Sequence, residues 1–426
     1  MRIVLLSMNY APEMTGIGKY SGEMAEDLVA RGHEVHVVCA PPYYPSWKVQ
    51  PGYRADRYQT QQMQPGLTVH RCPVWIPKRL SGLTRLLHLA SFALTSLPVL
   101  LRLVLWQPHV VFAVAPAFAC APFAWLAARL SGARAWLHMQ DLEVDAAFEL
   151  GMLKQPLMRR IALAVERSIL RRFDVVSTIS SRMMRKLAVK GVPMHEAELL
   201  PNWIDVSTIH AGALGGNMRR SLDISPSQLV CLFSGTMNRK QGLSVLLETA
   251  RLMQHDARVV FVLCGNGELR AELEAQAAGM HNVRFMDLQP LSHLNELLNM
   301  ADVHMLPQLR GAADLVMPSK LAGMLASGRP VVAAAQADTE IASIVAGCGV
   351  VVEPECAESF ARAIVELAGD AQERRRLGDA GRAYAAQMLD ARKVFDRLEF
   401  RLHGFGEKRA AIGAATVSPA AETSAT

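Results

Sequence analysis

The chain has 426 residues, of which 51% are hydrophobic and 20% are charged. It is too long for one ordinary hydrophobic core and too apolar for a disordered chain, so we expect two folded domains of about 200 residues each. The formal net charge is +6, but Lys and Arg are scattered and no nucleic-acid recognition module appears. The composition therefore argues against a nucleic-acid partner and favours an anionic small molecule or an anionic membrane surface.

Cysteine usage and the N-terminus bear on localisation. The seven cysteines form no C-x-x-C pair and mostly lie in apolar runs, which is typical of reduced core residues in a cytosolic protein. The opening MRIVLLSMNYAPEMTG contains a short apolar run that breaks into a turn without a small-residue cleavage pattern. This pattern predicts a strand rather than a signal peptide, and a cytoplasmic protein.

Short apolar runs alternate with helical patterns in the first half of the chain. Helical periodicity is clear in YSGEMAEDLVARG and in PLMRRIALAVERSILRRF. Such alternation predicts an α/β fold, a doubly wound parallel sheet with helices on both faces. The predicted strands are residues 2–8, 34–40, 109–115, 133–139 and 174–180.

One segment, LTRLLHLASFALTSLPVLLRLVLW at residues 83–106, is apolar nearly all round. Arg85 and Arg102 interrupt it, and its uncharged run is shorter than the roughly 20 residues that a membrane span requires. Two interpretations stay open. The helix lies in the membrane interface with Arg85, Arg102 and Trp106 near the headgroups, or it is buried on the core of the first domain. The basic character of the chain favours the membrane interface.

The alternation restarts after LLPNWID, residues 199–205. The predicted strands of the second half are residues 229–235, 258–265, 282–286, 302–306, 330–335 and 349–353. Two tandem Rossmann-like domains place an interdomain cleft at the carboxyl ends of their sheets, where such folds bind ligands, with a hinge near 201–215. The predicted divisions are two domains at 1–205 and 206–380, helices at 381–408 that cross back to the first domain, and a disordered tail at 409–426.

Glycines follow the first predicted strand in NYAPEMTGIGKY. Gly16 and Gly18 lead into a helix, so backbone N–H groups and the helix dipole can face an anion there. The alternative is a plain strand-to-helix turn, because a lone G-x-G is weak. The position directly after the first strand favours the anion site.

The second domain repeats this arrangement three times. Gly235 ends a strand and is followed by the cations Arg239 and Lys240 before a helix, which suits a diphosphate. The alternative is two solvated surface charges. Gly265 and Gly267 open another such turn, and Ser319 with Lys320 form a third polar cluster at a helix start. Three phosphate-type helix starts at one sheet edge predict a single nucleotide-sized ligand.

Several ordered motifs together resemble a known family. They are TGIGKYSGEMAEDLVARGHEVHVV, LPNWID, SGTMNRKQGLSVLLETA, CGNGELRAELE and MPSKLAGMLASGRPVVAAA, and they extend to about residue 400. The chain resembles retaining glycosyltransferases of family 4, which have the two-Rossmann GT-B fold. APPYYPSW, HMQDLEVDAAFELG, STISSRMMRK and RGAADLVMPSKL are similar to the colanic-acid fucosyltransferase group.

The resemblance implies transfer of a sugar from a nucleotide diphosphate, GDP-fucose by analogy, to a polyprenyl-diphosphate-linked saccharide at the inner face of the plasma membrane. It implies that Lys240, helped by Arg239, holds the donor diphosphate, while residues 285–290 border the base. The residues expected to bind the donor are Gly16, Gly18, Gly235, Arg239, Lys240, Gly265, Asn266, Leu288, Asp314, Pro318, Ser319 and Lys320.

On the acceptor side, LHMQDLEVDA follows a strand. Asp141 is the first candidate for orienting or deprotonating the acceptor hydroxyl, with His138 second, and Glu143 and Asp145 nearby. The alternative is that these are loop and cap residues. No metal or other cofactor is expected, because no D-x-D cluster occupies a suitable loop and Lys, Arg and helix N-termini can stabilise the leaving diphosphate.

The chain departs from the family pattern at one place. Most members carry two glutamates with seven residues between them, and alignment on SGRPVV puts these positions at Leu315 and Gly323. Asp314 is the candidate to replace the first. A non-hydrolysing sugar-nucleotide 2-epimerase is the first alternative function, although it needs cleft carboxylates. A catalytically silent nucleotide-binding partner of the synthesis complex is the second, which the missing glutamates permit.

Overall fold

The computed structural model describes residues 1–14, 16–79, 81–116, 118–145, 155–212, 215–310 and 318–415, with the side chains of all of these except 156, 240 and 406–415. Two predominantly parallel sheets follow one another along the chain, and each is covered by helices on both faces. The predicted architecture of two doubly wound α/β domains is therefore confirmed. The predicted strands appear with boundaries that differ by one or two residues, because buried β-branched runs fit a central parallel strand.

The first sheet has eight strands in the order β3-β4-β2-β1-β5-β6-β7-β8. Neighbouring strands are parallel except β3 and β4, which form an antiparallel hairpin. The strands are β1 Arg2–Ser7, β2 Glu34–Cys39, β3 Gln59–Gln64, β4 Leu67–Arg71, β5 Val110–Ala115, β6 Arg134–Met139, β7 Val175–Thr178 and β8 Ala197–Leu199.

The helices of the first domain that lie wholly in the described ranges divide between the two faces of this sheet. One face packs against α1, Ile17–Ala30. The other packs against four helices, α2 Gly82–Val104, α3 Ala121–Ser131, α4 Pro156–Leu170 and α5 Ser181–Val189. Alternate residues of the strands face these two cores, as the period of two in a strand requires.

The second sheet has six parallel strands in the order β11-β10-β9-β12-β13-β14. They are β9 Leu229–Ser234, β10 Val259–Cys264, β11 Val283–Met286, β12 Val303–Leu306, β13 Val331–Ala334 and β14 Gly349–Val352. Its helices are α6 Gly216–Ser221, α7 Ser244–Leu252, α8 Arg270–Gln276, α9 Leu294–Met300, α10 Lys320–Ala326, α11 Glu340–Val345 and α12 Ala357–Gly369. α7, α8 and α12 cover one face, and the other four cover the opposite face.

The C-terminal helices join the two domains. α13, Ala371–Tyr384, and a π-helical turn lead into α14, Ala391–Ala415. Residues Ile204 and Asp390 form a parallel bridge at the crossing. Beyond it, α14 packs beside α1 beneath the first sheet, where the Phe395 ring lies 4.6 Å from that of Trp203.

Three local features differ from the sequence expectations, the first being the short edge strand β8, Ala197–Leu199, which was not predicted. The β3–β4 hairpin was not predicted, because QTQQMQ lacks apolar alternation and lies exposed at the sheet edge. Residues 409–415, predicted as part of a disordered tail, continue α14, since RAAIGAA is rich in strong helix formers. The remaining residues of the predicted tail, 416–426, lie outside the described part of the chain.

Helix α2 has two different sides. His88, Phe92 and Leu100 are buried against the domain, whereas Leu86 and Leu94 are 61% and 64% exposed. Within the described ranges, α2 is the one helix long and apolar enough to cross a membrane. Its most apolar stretch of 18 residues has a mean hydropathy of 1.7, and 33% of that stretch is buried in the protein. The buried side matches the interpretation of a helix packed on the core of the first domain, whereas membrane contact of the exposed side stays a prediction.

The crossing of α14 generates a stability prediction. Phe395→Ala removes a ring that is 5% exposed in the lower core of the first domain, so it should lower the free energy of unfolding by about 3 to 5 kcal/mol. Phe400→Ala, on the same helix but 82% exposed, should change it by less than about 0.5 kcal/mol. Urea unfolding of the full chain measures both. Equal effects would show that α14 is not anchored through Phe395.

Candidate active site

The two domains meet where helix α1 faces the start of helix α10. The Tyr20 hydroxyl of α1 approaches Ser319, the residue before α10, and burial raises the pKa of Tyr20 well above its usual range. A pocket of about 50 Å³ continues between the domains, lined among others by Ser180, Ser319, Glu340 and Tyr384. The predicted donor residue Ser319 therefore lies at the interface of the two domains.

Two glycine-containing loops of the second domain pack backbone against backbone. Gly235, after β9, donates its N–H to the Cys264 carbonyl at 3.0 Å. A Cβ on Gly265 would lie 1.9 Å from the Gly235 oxygen, and a Cβ on Gly267 would lie 2.3 Å from the Met237 oxygen. All three glycines have positive φ. The close approach brings the ends of β9 and β10 together at one edge of the sheet.

Lys320 reaches across to the first of these loops. Its Nζ donates to the Oε1 of Gln241 at 2.6 Å and lies 4.2 Å from the centroid of the Phe233 ring. It also lies 3.6 Å from the position that a Cβ on Gly235 would occupy. Burial lowers the pKa of Lys320 to about 7, because the ammonium is removed from water.

The other predicted donor residues lie around this loop. Arg239 is exposed on a 3-10 turn, and its N–H donates to the Glu268 carboxylate at 3.2 Å. Lys240 follows on the same turn, but its side chain lies outside the described part. Asn266 is exposed and accepts from Arg270 at 3.3 Å. Leu288, just after β11, is 61% exposed. The structure thus brings these residues to the carboxyl edge of one sheet, and their roles stay predictions.

The glycine turn of the first domain is organised by a carboxylate that sequence reasoning missed. Glu13 is 3% exposed and accepts from the N–H groups of Tyr43 and Tyr44, each at 2.9 Å. Burial raises the pKa of Glu13, although these hydrogen bonds oppose the shift. Gly18 packs against Glu13, since a Cβ there would lie 2.6 Å from the Glu13 Cβ, whereas no atom lies within 4 Å of one on Gly16. Gly18 therefore serves packing, and Gly16, at the start of α1, faces open space.

The two acceptor-side candidates occupy different environments. His138 is 3% exposed, its Nδ1 hydrogen-bonds to Ser177 at 2.9 Å, and burial lowers its pKa to about 3. These contacts indicate a neutral imidazole inside the sheet. Asp141 is half-buried just beyond β6, and its charge contributes to the raised pKa of Tyr44. The geometry favours Asp141 over His138 as the group facing an acceptor, and both roles stay predictions.

The neighbouring carboxylates have structural partners. Glu143 accepts from the Phe118 N–H at 3.0 Å. Asp145 pairs with Lys190 at 3.2 Å, and the same ammonium contacts the buried Glu166. Their contacts match the cap and loop alternative. Within the described ranges, no group of three His, Cys, Asp or Glu side chains could hold a metal ion.

Of the two positions where other family members have a glutamate, the structure describes only the second, Gly323. Asp314 and Leu315 lie outside the described residues, and Pro318 is half-buried just before α10. Gly323 is buried in α10, and within 4 Å a Cβ there would meet Leu298 alone, at 3.3 Å. The helix face that holds Gly323 holds Lys320 one turn earlier. Lys320 therefore places a cation one turn before the glycine that stands at the second glutamate position.

A second interdomain contact was not predicted from the sequence. The Glu340 carboxylate, at the start of α11, accepts from the Ser181 and Arg182 N–H groups at 3.0 and 2.9 Å. Arg182 in turn contacts Asp338. An acidic residue after the strand β13 is an ordinary helix-start signal, so its partner in the other domain could not be read from the sequence.

Two doubly wound domains that meet at the carboxyl edges of their sheets are the architecture of the GT-B fold. Family models match both domains: residues 15–203 match the glycosyl transferase 4-like domain and residues 228–370 match glycosyl transferases group 1. The chain therefore belongs to the glycosyltransferases that combine these two domains, and it is an enzyme of this type. The family resemblance read from the sequence is confirmed.

Individual proteins agree with this assignment. The chain is 43% identical to the putative colanic acid biosynthesis glycosyl transferase WcaI of Escherichia coli K12 over 374 residues, 85% of this chain and 91% of that protein. Sucrose-phosphate synthase of Thermosynechococcus elongatus has a similar structure, with a TM-score of 0.73 at 17% identity over 97% of this chain and 99% of that one. HepE of Anabaena, solved with UDP and glucose, gives a TM-score of 0.66 at 14% identity over 95% and 100% of the two chains.

The backbone contact of the two glycine loops can be tested by adding one carbon. Gly265→Ala places a Cβ against the Gly235 carbonyl, so the loops must separate, and we expect a loss of several kcal/mol in the unfolding free energy of the second domain, on the order of 3. Gly279→Ala is the matched control, because Gly279 also has positive φ but no atom within 4 Å of its Cβ position. It should cost about 1 kcal/mol. Urea unfolding with two-domain analysis distinguishes them, and similar losses would contradict the contact.

Proposed function

We propose that the protein is a retaining glycosyltransferase that transfers fucose from GDP-fucose to a lipid-linked oligosaccharide in the synthesis of a colanic-acid-like exopolysaccharide. The observation that carries this proposal is the 43% identity with the colanic acid glycosyl transferase WcaI over 91% of that protein's length. The donor sugar and the acceptor follow from the resemblance of the motifs, whereas the site supports transfer from a diphosphate-linked donor.

The donor side of this reaction needs positive charge where negative charge develops. Lys320 and Arg239 lie at the carboxyl edge of the second sheet, and Lys240 follows Arg239 in the chain. When the sugar leaves, the departing diphosphate gains charge, and preorganised cations stabilise it more in the transition state than in the bound donor. We therefore propose catalysis without a bound metal, with these cations in the role that a divalent ion has elsewhere.

The acceptor side needs a group that orients a hydroxyl. Asp141 lies beyond the carboxyl end of β6, near the half-exposed Tyr44, whose backbone N–H is held by Glu13. A carboxylate within reach of the acceptor hydroxyl accepts its proton as the new bond forms. Tyr20 of the first domain approaches Ser319 of the second, and we propose that this contact helps to exclude water and to align the two substrates.

A lipid-linked acceptor would require the enzyme to approach the membrane. Exposed apolar residues follow one side of α2, namely Leu83, Leu86, Leu87, Leu94 and Leu101, and a second group lies on α4, namely Leu157, Met158, Ile161 and Val165. Both helices cover the same face of the first sheet and carry arginines. We propose that this face rests on the cytoplasmic side of an anionic membrane, with its leucines in the interface.

The test of the function is an incubation of the pure protein with GDP-fucose or other sugar nucleotides, with and without a polyprenyl-diphosphate saccharide. Release of nucleoside diphosphate that depends on the acceptor, with retention of the anomeric configuration, supports the proposal. An isomerised donor would instead indicate a 2-epimerase, and binding without turnover would indicate a silent partner. Asp141→Asn should lower kcat about 100-fold or more with little change in donor affinity, because it removes only the proton acceptor.

Membrane contact can be tested by flotation with vesicles containing phosphatidylglycerol. The wild type should float at low salt, and Leu86→Glu/Leu94→Glu should stay in the soluble fraction, because two carboxylates cannot enter the interface of an anionic bilayer. Leu252→Glu is the control, since Leu252 is 53% exposed on α7 of the other domain. A wild type that remains soluble at low salt would refute the membrane proposal and leave the transferase assignment intact.

A further inference from the structure

The environment of Lys320 is unusual for a lysine. Its ammonium is half-buried against the Phe233 ring, and its one described hydrogen bond goes to the neutral amide oxygen of Gln241 at 2.6 Å. Among the described residues, no carboxylate lies within 4 Å of this Nζ, and burial is the one cause of its lowered pKa. An ammonium has three donors, so within the described part of the chain Gln241 and the ring leave it incompletely satisfied and without a counter-charge.

The position of this ammonium is also specific. It lies 3.6 Å from where a Gly235 side chain would begin, so it occupies the space that the glycine leaves at the end of β9. Gln241 is the last residue of the 3-10 turn that carries Arg239 and Lys240. The hydrogen bond from Lys320 to Gln241 therefore ties the start of α10 to the turn with the other two cations.

We propose that Gln241 is a positioning residue that holds the Lys320 ammonium at the carboxyl end of β9, where the diphosphate of the donor supplies its missing counter-charge. This inference rests on the proposed use of a nucleotide-diphosphate donor. It adds Gln241, an uncharged residue, to the groups that act in binding that donor. Gln241 acts through Lys320, because an amide oxygen can accept from the ammonium but cannot neutralise it.

Binding of UDP and GDP by isothermal titration calorimetry tests the pair. Gln241→Leu should weaken binding of the preferred nucleotide about tenfold, and Lys320→Gln should weaken it further. The double variant should bind no more weakly than Lys320→Gln alone, because Gln241 has no effect once the ammonium is gone. Gln276→Leu, on the exposed side of α8, is the control and should bind as the wild type does.

A second measurement separates positioning from a general structural effect. The charged or titratable groups on the described elements around Lys320 include Arg239 on the turn, Tyr20 on α1, and Glu340 and Tyr384, which line the pocket beside Ser319. Phosphate favours the protonated lysine, and the terminal phosphate, with a pKa of about 6, is already ionised at pH 8. Nucleotide binding at pH 8 should therefore take up a proton, detected by calorimetry in buffers of different ionisation enthalpy, and affinity should fall as pH rises above about 7.

Conservative variants identify the group responsible. Lys320→Arg should keep most of the affinity and lose the proton uptake, because a guanidinium stays charged, whereas Lys240→Arg should keep the uptake. Gln241→Glu should bind more weakly than Gln241→Leu, since its carboxylate pairs with the ammonium and repels phosphate. Wild-type binding by a folded Gln241→Leu, or additive losses in the double variant, overturns the inference while the donor assignment stands. A wild type that binds neither nucleotide overturns the proposed function and this inference with it.

Discussion

The crossing of the C-terminal helix is the constraint on which the two-domain arrangement depends. The second sheet is buried between helices of its own domain. The first sheet is not, because its lower face is completed by α14 from the end of the chain. The bridge between Ile204 and Asp390 sets where this helix enters, and Trp203 and Phe395 pack directly beyond it. Because both connections between the domains pass this point, it limits how the cleft can open.

The fold was largely predictable from the sequence because its strands are central and its period is regular. Residues in β1, β5 or β10 are apolar on both sides, and this pattern has few readings besides a buried parallel strand. The edge hairpin was missed for the opposite reason: β3 is polar and exposed, and its partner β4 defines it as a strand. The extension of α14 past residue 408 was missed because small residues without periodicity fit both a helix and a disordered tail.

The sequence allowed us to predict which residue types form the site, but not which of them contact residues far away in the chain. Glycines and cations that follow strands, such as Gly235, Arg239 and Lys320, can be assigned to the ligand-binding edge from the local sequence alone, since the carboxyl ends of parallel strands share one edge. The roles of Glu13 and Glu340 cannot be predicted in this way. In the sequence each is an ordinary loop or helix-start carboxylate, and only folding brings Tyr43 or Ser181 to it. Long-range partners of this kind are decided by packing between elements that lie far apart in the chain.

The charge of Lys320 and the glycine at position 323 of the same helix can be explained together. A folded protein without a ligand is destabilised by a half-buried ammonium, and within the described part of the chain Lys320 has no carboxylate beside it to reduce this cost. A glutamate at Gly323, one turn along the same helix face, would offer such a countercharge, and the helix has a glycine there. Among the described residues, α10 therefore offers Lys320 no internal countercharge, which is why the proposed phosphate site depends on the glycine at position 323 as well as on the lysine.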